Sequence, residues 1–195
     1  MVAKLIPCEN IEQLVDRMDE PNRRAIWSIL GDNLELFRIV QGSSSNHQAW
    51  PGGYIDHVTE VMNLAVVQHA VLDRIRPLPF SLSDALVVLF LHDIEKPWKY
   101  RLVDGRTEIV PELLDKQAQH VFRADKLKHY GIVLTDVQAN AMRYVEGEHK
   151  DYSSDRRVMN ELAAFCHVCD VLSARVWHAH PLAENDPWLG SGRRR

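Results

Sequence analysis

Cysteine is scarce in this sequence, with 3 residues among 195. An odd number of cysteines without a framework spacing is typical of a reducing compartment rather than of a disulfide-bonded secreted protein. No stretch offers the roughly 20 consecutive apolar residues that a membrane span needs. The start, MVAKLIPCEN, lacks the apolar segment and cleavage site of a signal peptide. We therefore predict a cytoplasmic protein without a membrane partner.

Basic residues are not in excess either, and the net charge is −4. A general nucleic-acid binder usually carries a basic face, so this balance disfavours long nucleic acid as a partner. The hydrophobic fraction of 46% is sufficient for a full core, and the length suits one principal domain. The sequence contains no evident internal repeat, and its charge and composition leave the oligomeric state open.

The most informative stretch is LFLHDIEKPWKY, where an apolar run ends in His92 and Asp93. The run alone is compatible with a buried strand or a buried helix, but Ser81 and Asp84 form a capping signal that favours a helix. Imidazole and carboxylate groups are costly to bury unless they are bonded. Together they could hold a divalent cation, and this pair of ligand types suits Zn, Fe, Mn or Ni.

Apolar residues at helical spacing predict further helices over 10–19, 21–40, 54–76, 111–130, 134–145 and 155–177. The segment KYRLVDGRTEIV predicts a small β-hairpin, since Asp-Gly between two alternating runs is a strong turn signal. We interpret 1–46 as an N-terminal helical cover, 47–180 as the main domain and 181–195 as a flexible tail rich in turn formers.

Several other polar residues stand where a ligand is possible. Asp170 lies on an apolar face of the last helix, and an isolated buried carboxylate would be expensive. His57 follows a glycine-rich turn, although taken singly it is more typical of a cap-region histidine. The segment EGEH offers further ligands within one turn. Cys166-x-x-Cys169 has a zinc-like spacing, but without a second pair it is better explained by small buried residues.

In this order, GGYIDHV, LFLHDIEK, the segment around His120, EGEH and CDVLSA resemble the HD-domain superfamily of metal-dependent phosphohydrolases, over 47–177. The resemblance implies an all-α HD-domain helical bundle that contains a metal cleft. The small β-hairpin is then an insertion in this bundle. It also implies a set of primary metal ligands, with one carboxylate that would bridge if two ions bind. These ligands are His57, His92, Asp93 (the bridging carboxylate) and Asp170.

For a second ion, the resemblance points to His120, which matches an extra histidine of members with two metals. Similar members also place a histidine directly before a glycine in the next helix, whereas this chain has Glu146 there and His149 a few residues later. We therefore expect His149, or Glu146 as its alternative, to complete the second site. The cofactor is predicted to be one or two divalent ions of Mn, Fe, Ni, Zn or Co.

The activity that the resemblance implies is hydrolysis of a phosphomonoester or phosphodiester by metal-activated water, on a nucleotide or related small phosphoester. Asp93 and Lys96 are the predicted catalytic residues, with the Lys96 ammonium reaching over the cleft near solvent. Lys96 and His47 are the predicted substrate contacts. Two alternatives stay open: a mixed-valence di-iron oxygenase built on the same ligands, and a non-catalytic nucleotide-binding module.

Overall fold

The computed structural model describes residues 6–44, 47–103 and 106–176 of the chain. The fold is mostly helical with one small antiparallel sheet, which confirms the all-α prediction and the hairpin insertion at that level. The predicted turn at Asp104-Gly105, Trp177 and the predicted tail at 181–195 lie outside the described residues. Within the described part, no helix is both long enough and apolar enough to cross a membrane.

The elements follow one another in a simple order. The helices are α1 Ile11–Val15, α2 Asn22–Ile39, α3 Gly53–Ile75, α4 Leu82–Leu91, α5 Lys96–Lys99, α6 Lys116–His129, α7 Asp136–Tyr144 and α8 Glu161–Arg175. The strands are β1 Tyr100–Val103 and β2 Arg106–Ile109, paired so that Tyr100 faces Ile109. Short 3-10 turns cover Pro111–Leu113 and His149–Asp151.

Capping side chains decide where several helices begin. Ser81 caps α4 through a capping box with Asp84, so the apolar run is the helix that this signal favours. Two predicted starts were wrong. Helix α6 begins at Lys116 instead of 111 because Asp115 accepts the N–H of Ala118 at 3.0 Å. Helix α8 begins at Glu161 instead of 155 because Asn160 provides the cap there.

Helix α4 lies at the centre of the core, and its residues 85–91 are all buried. Helices α3, α7 and α8 pack around it. The N-terminal helices contribute Leu14, Ile26 and Phe37 to the same hydrophobic cluster, so the segment 1–46 packs into the main core where it is described. Because α4 is enclosed, the residues that follow its last turn emerge inside the protein rather than at its surface.

A tight loop delivers His47 to the beginning of α3. The N–H of Gly42 donates to the carbonyl of Gln48 at 3.0 Å, and the N–H of Gly53 donates to the carbonyl of Trp50 at 2.8 Å. A Cβ atom at Gly53 would lie 1.9 Å from the Gln48 carbonyl oxygen, which no side chain could tolerate. Gly53 is therefore required for the close approach of this loop to α3.

Candidate metal centre

The structure brings the four predicted primary ligands together. The Nε2 atoms of His57 and His92 lie 3.3 Å apart, and His57 Nε2 lies 3.2 Å from Asp170 Oδ1. Asp93 Oδ2 lies 3.2 Å from His92 Nε2 and 3.6 Å from His57 Nε2. Ligand atoms of His57, His92 and Asp170 all fall within 4.8 Å of one another, a group that could hold a metal ion.

These ligands come from three helices of the core, α3, α4 and α8. His57 lies in the early turns of α3, His92 is the C-cap of α4 with Asp93 directly after it, and Asp170 lies on α8. His57, His92 and Asp93 are buried, whereas the Asp170 side chain keeps 19% of its surface exposed. Asp170 therefore marks the side of the cluster that faces outward.

The tautomer of His92 follows from its backbone partner. His92 Nδ1 lies 2.7 Å from the carbonyl oxygen of Leu89, and a carbonyl can only accept a hydrogen bond. Nδ1 must therefore carry the hydrogen. In neutral His92 the lone pair is then on Nε2, the atom that points into the cluster, as in metal-ligating histidines whose other nitrogen donates to a carbonyl.

Ser173 fixes His57 in the same way. Its hydroxyl donates to the carboxylate of Glu60 at 2.8 Å, which uses its single hydrogen. The same oxygen lies 3.1 Å from His57 Nδ1 and accepts from the Gln48 amide at 3.1 Å. His57 Nδ1 must therefore be the donor, and its Nε2 also presents a lone pair to the cluster. None of the three supporting residues was identified from the sequence, although Ser173 follows Asp170, and Glu60 follows His57, at helical i,i+3 spacing.

Two imidazole lone pairs and two carboxylate oxygens thus converge in a buried space, and such an arrangement requires a cation among them. Without a metal ion, a proton partly fills that role. Burial disfavours charge on His92, but the negative charges of Asp93 and Asp170 outweigh it and raise the pKa of His92 to about 10. Burial also opposes ionisation of Asp170, yet the neighbouring imidazoles of His57 and His92 hold its pKa well below the usual range. The donor set fits a divalent transition-metal ion.

Lys96 lies inside the site, which differs from the predicted position near solvent. Its Nζ atom lies 2.5 Å from Asp93 Oδ2, and its side chain is only 13% exposed. Burial alone would lower the pKa of Lys96, but the Asp93 carboxylate raises it above the ordinary value. A buried carboxylate needs a counter-charge, and this need draws the ammonium inward.

His47 borders the cluster on the side of His57, and the two ring centroids lie 5.1 Å apart. Its Nε2 atom is buried and has no hydrogen-bond partner among the described residues. Burial, with the charges of His57 and Lys96, lowers the pKa of His47 to about 4, so the ring is neutral at physiological pH. An orphaned buried nitrogen of this kind is suited to meeting a ligand, as the predicted substrate contact requires.

The predicted second-metal ligands are not gathered in this way. His120 is exposed on α6, and His149 is exposed in the 3-10 turn after α7. Glu146 is exposed as well and forms an ion pair of 3.1 Å with Lys116. Across 6–44, 47–103 and 106–176, the group formed by His57, His92 and Asp170 is the one three-ligand cluster. That these residues bind a second metal ion stays a prediction.

The two cysteines of α8 have a packing role. Cys166 and Cys169 are buried and free, and both belong to the hydrophobic core. Burial raises the pKa of the Cys169 thiol to about 12, so it is protonated at neutral pH. This agrees with the interpretation of the pair as small buried residues.

Three comparisons with known proteins found no match to this chain. No family model matches the chain, and neither a curated protein nor a solved structure matches it. What is known of the site therefore comes from the residues themselves, their geometry and the motifs of the sequence.

Proposed function

We propose that this chain is a metal-dependent phosphohydrolase of the HD type, acting on a small phosphoester such as a nucleotide. The observation that carries the proposal is the buried convergence of His57, His92, Asp93 and Asp170, with both imidazole lone pairs facing inward. A divalent ion bound there would lower the pKa of a coordinated water towards neutrality and so supply hydroxide.

The residues around the ligands suit phosphoryl chemistry. Lys96 provides a buried positive charge beside Asp93, where it could stabilise negative charge on the phosphoryl oxygens in the transition state. His47 offers a neutral ring nitrogen on the same side. The cluster opens through Asp170 onto a cavity of about 340 Å³, which gives a substrate a route to the reacting centre.

Each alternative function makes a different demand on the site. A di-iron oxygenase needs a second set of ligands, whereas hydrolysis can proceed at a single ion. Among the described residues, one three-ligand cluster is assembled, which favours hydrolysis. A non-catalytic binding module would not need an intact ligand set, yet all four primary ligands and Lys96 are present here.

The test begins with protein purified without chelator, whose metal content is measured directly. Hydrolysis of p-nitrophenyl phosphate and bis(p-nitrophenyl) phosphate is then assayed with Mn, Fe, Co, Ni and Zn. The matched variants are His92→Gln, inside the cluster, and His69→Gln on α3, whose ring packs against Phe80. We expect His92→Gln to lose both bound metal and hydrolysis, while His69→Gln keeps both.

Two results would remove the proposal. The first is phosphoester hydrolysis that survives in His92→Gln or that needs no metal. The second is bound iron with oxygen consumption and no phosphoester cleavage under any metal, which would favour the oxygenase alternative.

A further inference from the structure

Helix α6 reaches the segment beside the metal cluster through Arg123, whose side chain is only 13% exposed. The Nε and Nη2 atoms of Arg123 lie 3.2 Å and 3.1 Å from Glu95 Oε2. Glu95 stands two residues after Asp93 and directly before Lys96. The ion pair therefore joins α6 to the short segment that carries both of these site residues.

The Glu95 carboxylate has to be paired, because its side chain is only 3% exposed. A carboxylate is costly to remove from water unless a cation meets it. Arg123 supplies that charge with two N–H groups, an arrangement that a guanidinium allows. Lys96, the next residue in the chain, contacts Asp93 instead, at 2.5 Å. Each of the two neighbouring carboxylates thus has a cation of its own.

The helix that carries Lys96 cannot fix its own position. Helix α5 has four residues, and helices shorter than about 12 residues are marginal without tertiary support. That support comes from α6, where Phe122 and Lys126 contact Trp98. The ring centroids of Phe122 and Trp98 lie 5.6 Å apart, and Lys126 Nζ lies 3.9 Å from the Trp98 centroid. Helix α6 therefore anchors α5 through Trp98 and, through Arg123, at the residue that precedes it.

The two anchors differ in what their loss would do to the site. Loss of a contact to Trp98 removes packing, whereas loss of Arg123 leaves a buried carboxylate without a counter-charge. The ammonium of Lys96 would then be attracted by two carboxylates, Glu95 and Asp93, in place of one. Asp93 would be partly released from its ion pair.

We infer that Arg123 is a positioning residue: by pairing with Glu95, it keeps the ammonium of Lys96 on Asp93, beside the metal cluster. Its effect on the rate of hydrolysis rests on the proposed phosphohydrolase function, in which Lys96 stabilises charge on the phosphoryl oxygens. Its effect on the Lys96–Asp93 ion pair does not depend on the reaction and is measured through metal affinity.

The experiment compares wild type with Arg123→Met. Competition with a chelator measures the affinity for Mn²⁺ and Zn²⁺, and p-nitrophenyl phosphate measures kcat and KM. Since Asp93 is partly released, we expect metal to bind tighter by roughly 10-fold. Since Lys96 is displaced, kcat should fall by roughly 10-fold or more while KM changes little. A general loosening of the fold would instead weaken metal binding and hydrolysis together.

The double variant Glu95→Gln/Arg123→Met removes both charges of the pair, so no carboxylate competes for Lys96. We expect it to return metal affinity and kcat to within about threefold of wild type. Should Arg123→Met fail to fold, the double variant decides alone, because a packing role of Arg123 would be lost in it as well.

Arg143→Met is the matched control. It removes an arginine that pairs with Asp151 at 2.7 Å, on α7, where the Asp151 side chain is 30% exposed. The substitution and the change in net charge are the same as in Arg123→Met. We expect metal affinity and kcat to stay at the wild-type values.

The inference is overturned if Arg123→Met binds metal no tighter than wild type, if the double variant stays as slow as Arg123→Met, or if Arg143→Met has the same effects. When wild type cleaves phosphoesters, these results remove the positioning inference alone. When wild type binds metal and cleaves no phosphoester, the proposed function fails, and metal affinity still tests the position of Lys96. When wild type binds no metal, both fail.

Discussion

Replacing Ser173 by Ala removes a hydroxyl that binds three buried side chains at once. His57 Nδ1 and the Gln48 amide lose their acceptor, each at 3.1 Å, and Glu60 loses the hydrogen bond at 2.8 Å. A buried donor left without a partner costs about 1–3 kcal/mol, so the two donors together should lower the free energy of unfolding by about 2–6 kcal/mol. Removing the partner that orients a metal-ligating histidine typically lowers metal affinity by about 10–100-fold.

Two measurements separate these effects. Urea unfolding of the metal-free protein reports stability, and competition with a chelator reports metal affinity. The control is Ser83→Ala, since the Ser83 hydroxyl also serves a buried region, where it accepts the N–H of Asp19 at 2.8 Å. We expect Ser83→Ala to lower stability while metal affinity stays at the wild-type value. Ser173→Ala should lower both.

If Ser173→Ala binds metal as tightly as wild type, the hydroxyl does not set the tautomer of His57. The Nε2 lone pair of that histidine would then not be held towards the cluster by Ser173. If Ser83→Ala weakens metal binding equally, the loss reflects general softening of the fold.

Three further predictions concern charge, backbone and pH. Lys96→Met removes the cation beside Asp93, so chelator competition should show tighter metal binding, while phosphoester hydrolysis should fall by roughly 10²-fold or more; unchanged hydrolysis would exclude a catalytic role for the lysine. Gly53→Ala should lower the free energy of unfolding in urea by about 3 kcal/mol or more, because the new Cβ meets a backbone carbonyl. Gly31→Ala lies in mid-helix with open space around it and should raise the free energy of unfolding by about 0.5–1 kcal/mol. Equal effects at the two positions would contradict the close approach of the Gln48 loop to α3. The raised pKa of His92, about 10 against 6.5, gives a stabilising contribution to the metal-free protein that is complete below pH 6.5 and lost as pH rises through about 10. Thermal unfolding across that range should show the loss in the metal-free protein, and bound metal, which displaces the proton, should reduce it; the same loss with and without metal would argue against His92 as a ligand.

The sequence was most informative where function and folding impose a local pattern. A capped apolar run that ends in His92-Asp93 predicts both the central helix and a polar site at its end. His57 and Asp170 are far from this pair in the sequence, so their contact with it was predicted from the resemblance and not from periodicity. The supporting hydrogen bonds could not be predicted, because His57 and Ser173 are 116 residues apart and three separate segments must meet at one hydroxyl.

The position of Lys96 shows a second limit. Spacing correctly put the lysine one turn past Asp93, but whether its ammonium faces water or the carboxylate depends on how deeply the carboxylate is buried. In the same way, the residue types of His120 and His149 suit a metal, yet the helix and turn that carry them leave both side chains exposed. The sequence shows which side chains could bind a metal, whereas the direction in which each side chain points depends on how its helix or turn packs.

The ion pair between Lys96 and Asp93 also affects how stable the fold would be when no metal ion is bound. Small zinc domains collapse when their ion is withdrawn, because nothing else neutralises their ligands. Here a permanently attached ammonium already balances one buried carboxylate, at 2.5 Å. If the proposed metal ion binds at this cluster, we therefore expect the chain to fold before it is loaded, so that scarcity of the ion would lower the active fraction of the protein and leave its abundance unchanged.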